Sequence, residues 1–147
     1  MNTVDPDSLP LERIIHIARF RRELRAFLRH SEAVARRWEM TPQWYMLLLA
    51  IKGAPDSSER ASVTELSDRL FLSRNTVTEL CTRAEAAGLV YRESAEHDLR
   101  VVHLRLTDEG ERRLGGALLE NEDYRSELID AFGELSESFG RATRARR

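Results

Sequence analysis

The stretch Leu72–Leu80, LSRNTVTEL, crowds Ser73, Arg74, Asn75, Thr76, Thr78 and Glu79 around the apolar Leu72, Val77 and Leu80. Ser, Thr and Asn compete for backbone hydrogen bonds and are poor residues for a helix interior. Yet apolar residues recur at helical spacing through Val77, Leu80/Cys81, Ala84 and Ala87 to a stop at Gly88. The spacing predicts a helix with a core side and an outer side carrying Arg74, Asn75, Thr78, Glu79 and Thr82. Those side chains suit base recognition. Asn and Arg can each make paired hydrogen bonds to a base edge, and small neighbours keep the helix slim enough for a major groove about 12 Å wide. The free N–H groups of a helix N-terminus also favour phosphate. A solvated surface helix would use the same residues, and the segment alone does not choose between the two.

Other residue types offer less. Cys81 is the single cysteine, on the inward side of that helix, and reads as a small core residue. His16, His30, His97 and His103 show no metal-ligand spacing with it. His97, Asp98 and His103 share one predicted hairpin, which is a weak case for a metal. The sequence shows no glycine-rich phosphate loop and no nucleophile–base arrangement. The chain therefore reads as neither an enzyme nor a cofactor protein.

The elements that would position the polar helix are well punctuated. Pro10 opens a predicted amphipathic helix of about 28 residues, long for a small domain, with apolar positions at Leu11, Ile14, Ile17, Leu24, Phe27 and Trp38. Thr41, Pro42 and Gly53 mark a second helix as N-cap, first turn and stop. Ser62 and Glu65 form a capping box for a third, with Val63, Leu66, Leu70 and Phe71 as its apolar face. Ser73 then caps the polar helix. Two short helices joined by a tight turn are a helix-turn-helix candidate.

The following segment, LVYRESAEHDLRVVHLRLT, changes to alternation. Val102, Leu104 and Leu106 face one way, and Val101, His103 and Arg105 the other. This is a β-hairpin with a charged tip, and a helix-turn-helix followed directly by a hairpin is a winged helix. That order favours the DNA reading of the polar helix. Thr107 caps a further helix, and Leu114, Leu118, Leu128, Phe132, Leu135 and Phe139 carry apolar spacing onward, with Gly115-Gly116 as the candidate break. The expected fold is mainly α with a small β-hairpin.

The 147 residues suit one domain with a proper core. No run approaches the roughly 18 apolar residues of a membrane span, and the N-terminus lacks a secretory signal pattern, so a cytoplasmic protein without a membrane partner is expected. The formal charge of −2 hides a polarity. Residues 11–40 hold eight arginines against four glutamates, 60–106 balance at seven against seven, and 107–140 hold ten acids against three arginines. Opposite charges at the two ends could attract within a chain or between chains.

In this order and spacing, SVTELSDRLFLSRNTVTEL, AEAAGLVYR and DLRVVHLRLTDEG resemble the MarR (multiple antibiotic resistance regulator) family of winged-helix transcription factors. The resemblance spans roughly residues 10–140, including a D-x-R at Asp98 and Arg100 and the exit Leu104, Leu106, Thr107 and Gly110. It implies a flexible tail at 1–9, a helical dimerisation region formed by 10–52 and 107–140, a DNA-binding winged helix-turn-helix at 53–106, and a basic tail at 141–147. It implies a homodimer that binds double-stranded DNA at a pseudo-palindrome, acts as a repressor and is released by a small aromatic effector. Ser73, Arg74, Asn75, Thr76 and Thr78 match the reading half of the recognition helix. Arg100 matches the wing arginine, braced by Asp98, and Arg92 is a phosphate candidate. Ile14, Ile17, Leu128, Phe132 and Leu135 are the expected dimer interface; no residue is assigned to the effector. Glu79 and Leu99 depart from the family's basic preference, and Glu93, Glu96 and Asp98 make the wing tip acidic. The alternative is a winged helix used to bind another protein, which suits the neutral balance of 60–106.

Overall fold

The computed structural model describes residues 5–145, and of 142–145 the backbone alone. Its helices are α1 (Leu11–Arg37), α2 (Pro42–Lys52), α3 (Val63–Leu70), α4 (Arg74–Ala86), α5 (Asp108–Glu120) and α6 (Glu122–Ala145). Strands β1 (Val90–Ser94) and β2 (Val102–Leu106) form an antiparallel hairpin between α4 and α5. The chain is thus mainly helical, with the expected winged helix-turn-helix order. Residues 1–4 of the expected tail lie outside the described residues, and Pro6–Ser8 form a short 3-10 turn. The end of the basic tail also lies outside them, after a helix that continues to Ala145.

Two compact units form, residues up to 31 with those from 121 onward, and residues 32–120. This division places α2 and α5, grouped by sequence with the terminal helices, in one unit with the winged helix. That unit holds the main core: Leu47, Leu48 and Ile51 of α2, Leu66 of α3, Val77 and Cys81 of α4, and Leu104 of β2 are all fully buried. Each large apolar side chain among these stabilises the fold by about 1.5–3 kcal/mol.

The local devices are those the punctuation predicts. Thr41 Oγ1 accepts the Trp44 N–H at 3.1 Å, and Ser62 and Glu65 close a reciprocal box at 3.2 and 3.4 Å. Gly88 ends the α4 region at φ +75°, where a side chain is disfavoured. Thr107 Oγ1 accepts the Gly110 N–H at 3.1 Å and donates to the Gly88 carbonyl at 2.6 Å, tying α5 to the end of α4. A Cβ on Gly110 would lie 2.2 Å from the Leu89 carbonyl oxygen, so the glycine of the L-x-LT-x-x-G exit is a steric requirement.

Three local expectations are corrected. Phe71 joins no apolar face: it is the αL C-cap of α3 at φ +55° and is 93% exposed. Ala87, likewise, is an exposed C-cap rather than a core residue, because α4 ends at Ala86. Gly115-Gly116 does not break its helix. Gly116 instead admits the Trp38 indole, which would stand 2.3 Å from an added Cβ. The break falls at Asn121, whose carbonyl accepts the Arg125 N–H at 3.0 Å. The hairpin also has an unexpected neighbour, since Ala61 exchanges hydrogen bonds of 3.2 and 2.8 Å with Leu104.

In the other unit α1 and α6 meet through side chains. Arg19 pairs with Glu134, the rings of Phe20 and Phe132 lie 5.8 Å apart, and the Arg13 guanidinium sits 4.5 Å over the Phe139 ring. His30 stacks on Tyr124 at 3.5 Å. Much apolar surface stays open on this pair, including Leu11, Ile14, Ile15, Ile129 and Phe132.

Candidate nucleic-acid interface

Helix α4 is held from behind by Val77, Cys81 and Ala84, all fully buried, so its opposite side must face outward. Ser73 Oγ accepts the Thr76 N–H at 3.2 Å and lies 2.8 Å from Thr76 Oγ1. Both hydroxyls are thereby engaged in the cap. Arg74, Asn75 and Thr78 are exposed, and their side chains have no partner among the described residues. The structure therefore sorts the five sequence candidates into two that build the helix start and three left open to a ligand. Glu79 is exposed beside them.

The turn ahead of α4 is tightly fixed. Ser67 Oγ donates to the Leu72 carbonyl at 2.5 Å, and the Leu72 N–H returns to the Ser67 carbonyl at 3.2 Å. Leu72 packs against the core. The start of α4 is thus positioned by α3.

Arg92, the expected phosphate candidate, has partners within the chain. Its Nη2 donates to Thr82 Oγ1 at 3.2 Å, and its Nε lies 3.5 Å from Glu85 Oε2. The side chain ties β1 to the second half of α4, with its charge matched by Glu85. Sequence spacing gave no sign of this contact, because it joins two elements across a turn.

At the wing, Asp98 Oδ1 accepts the Arg100 backbone N–H at 3.0 Å and stands 3.8 Å from Arg100 Nε. The aspartate shapes the turn, while the Arg100 side chain remains 96% exposed. The hairpin closes through the Ala95 N–H to the Val101 carbonyl at 2.9 Å. Glu93, part of the expected acidic tip, is occupied by Arg105 Nε at 2.5 Å. Two of the tip's three acids are therefore engaged within the hairpin, which leaves Glu96. Leu99 is 80% exposed.

The Cys81 thiol is buried, and burial pushes its pKa up to about 11. Among the described residues no group of three or more His, Cys, Asp or Glu could hold a metal ion. No described helix is long and apolar enough to cross a membrane.

The model of the MarR family matches residues 38–100, which begin before α2 and end at Arg100. Over that stretch the chain is similar to the MarR family. Among curated relatives, the HTH-type transcriptional regulator YsmB of Bacillus subtilis is 26% identical over 85% of this chain and 84% of its own. FarR of Neisseria gonorrhoeae, another HTH-type transcriptional regulator, is 32% identical over 67% of this chain, which spans 60% of FarR's length. The MarR-family regulator Sco3205 from Streptomyces coelicolor, solved in complex with DNA, is similar with a TM-score of 0.65 at 24% identity. That likeness covers 97% of this chain and 90% of that one, and shows the shared fold. By these likenesses the chain is a winged-helix transcriptional regulator.

Proposed function

We propose that this chain is a MarR-family regulator that binds double-stranded DNA as a homodimer, with α4 of each copy reading one half of a pseudo-palindromic operator, and that it represses by occupying that site. The observation that carries the DNA reading is the start of α4: a self-contained cap that leaves Arg74, Asn75 and Thr78 exposed and unpartnered. Such side chains form bidentate or single hydrogen bonds with base edges, and the helix N-terminus favours a phosphate. Arg100, exposed at the wing, would add a backbone or minor-groove contact. The solved complex of Sco3205 with DNA supports the same reading.

The dimer is supported by the open apolar surface of α1 and α6. Ile14 and Phe132 are exposed in the single chain, and Ile17, Leu128 and Leu135 are half-buried. A second copy would cover them. Arg22, Arg25 and Arg29 stand exposed on one face of α1, while α6 carries Glu122, Asp123, Glu127, Asp130, Glu134 and Glu137. Opposed charges of this kind tune partner choice and register more than affinity.

The small aromatic effector implied by the family gains no support from the open cleft lined by Arg37, Trp38, Glu39, Arg112 and Glu120. There Glu120 already accepts from Arg37 Nη2 at 2.9 Å and Trp38 Nε1 at 3.0 Å. The charge balance of residues 60–106 favours one rival, a winged helix that binds another protein. Selection of duplexes from a random pool, followed by titration at several salt concentrations, separates the two. The proposal expects an inverted repeat with half-sites one helical turn apart and a steep fall of affinity with salt. Recovery of no preferred sequence would favour the rival.

A further inference from the structure

The turn between α3 and α4 contains a residue that folding does not explain. Phe71 holds φ +55°, ψ +39°, the left-handed region that suits Gly or Asn, and at 93% it is the most exposed large hydrophobic among the described residues. Glycine would adopt this backbone without strain, and the phenyl ring buries almost nothing in the chain. The turn nevertheless fixes the backbone that carries that ring. The Phe71 and Leu72 N–H groups both reach the Ser67 carbonyl, Ser67 Oγ fixes the Leu72 carbonyl, and Leu72 packs inward. Phe71 stands two residues ahead of Ser73, the cap of the helix whose Arg74 and Asn75 are free.

We propose that Phe71 is a DNA-contact residue, packing its ring on the deoxyribose carbons of the duplex backbone at the wall of the groove that α4 enters. The proposal rests on the reading of α4 as the DNA reader. The occupant follows from continuity with that surface: a residue just outside the helix start meets the groove's edge, while residues of the first helical turn meet its floor. The sugars there are the apolar part of an otherwise charged wall. A contact with sugar carbons adds affinity without sequence choice, and it releases no counterion, so it leaves the salt slope unchanged.

The test uses the full chain with Phe71→Gly and Phe71→Asn, both of which accept αL backbone and should melt no lower than the parent. Binding is titrated on a selected operator and on a scrambled duplex at several salt concentrations, with Asn75→Ala in parallel. The expected result is about tenfold weaker binding of both duplexes by both Phe71 variants, as for loss of a partly buried aromatic contact, at an unchanged salt slope. Wild-type affinity in the Phe71 variants would overturn the proposal, as would a loss confined to the operator or a changed slope. If the Phe71 variants are silent while Asn75→Ala loses discrimination, the inference fails and the α4 reading stands. If Asn75→Ala also discriminates fully, the α4 reading itself fails and takes the inference with it.

Discussion

Arg100 and Arg92 are both arginines of the wing, but their surroundings assign them different work. Arg100 is 96% exposed, bonded firmly at its backbone and only loosely paired with Asp98 at 3.8 Å, so its charge is available to DNA. Arg92 is engaged by Thr82 and Glu85. Arg100→Ala is therefore expected to weaken operator and scrambled DNA alike and to lower the salt slope by about 1, the signature of one lost phosphate contact. A loss of discrimination with an unchanged slope would assign Arg100 to base reading instead. Cys81 is a residue-scale question as well. Burial raises its thiol from the ordinary 9.0 to about 11, so the native group stays protonated near neutral pH and is a poor target for oxidant. DNA binding by the wild type and by Cys81→Ser should be equally insensitive to mild peroxide. The sign of the linkage is also fixed. The unfolded chain gives up this proton at lower pH than the native one, so stability from the neutral thiol is intact below 9.0 and declines as pH rises toward about 11. Denaturant melts of wild type and Cys81→Ser across that alkaline range should diverge in this direction.

At the scale of elements, what was legible in the sequence was whatever is decided within one turn of chain. Thr41, Ser62, Ser73 and Thr107 cap their helices because a hydroxyl reaches an N–H two or three residues on, and the alternation at Val102–Leu106 places Leu104 and Leu106 in the core. The misplacements share another origin. Phe71 and Ala87 are apolar by type, but each falls where its helix has just ended, so helical spacing no longer says which way it points. Gly115-Gly116 looks like a break locally, whereas the reason for Gly116 is the Trp38 indole from the turn that follows α1. Arg92's contact with α4 and Ala61's pairing with Leu104 are also tertiary, and spacing along the chain carries no trace of them. The glycine at 110 gives a quantitative check. A Cβ there would meet backbone at 2.2 Å, so Gly110→Ala should cost about 1–3 kcal/mol or more. Ser62→Ala, which removes one half of a capping box, should cost about 1 kcal/mol. Urea melts ranking Ser62→Ala as the more damaging change would contradict the packing described for the start of α5.

The whole molecule has to account for a pair of terminal helices that leaves Ile14, Ile15, Ile129 and Phe132 in solvent. A second copy, as proposed, would resolve this, and it would also supply the second reader that a pseudo-palindrome requires. Ile14 is already exposed in the single chain, so Ile14→Glu should leave the winged-helix unit folded while shifting sedimentation at micromolar concentration toward the 17.0 kDa chain. A dimer unaffected by Ile14→Glu would place the interface elsewhere. Within such a dimer, one substitution in α4 acts on both half-sites at once, which makes it the most direct test of the account. Asn75 is exposed, unpartnered and able to make paired hydrogen bonds to a base, each worth on the order of 1–3 kcal/mol of discrimination. Competition titrations of wild type and Asn75→Ala on the selected operator and on a scrambled duplex measure that discrimination. The account predicts that Asn75→Ala keeps its salt-dependent affinity for scrambled DNA and loses most of its preference for the operator; an undiminished preference would contradict α4 as the reader.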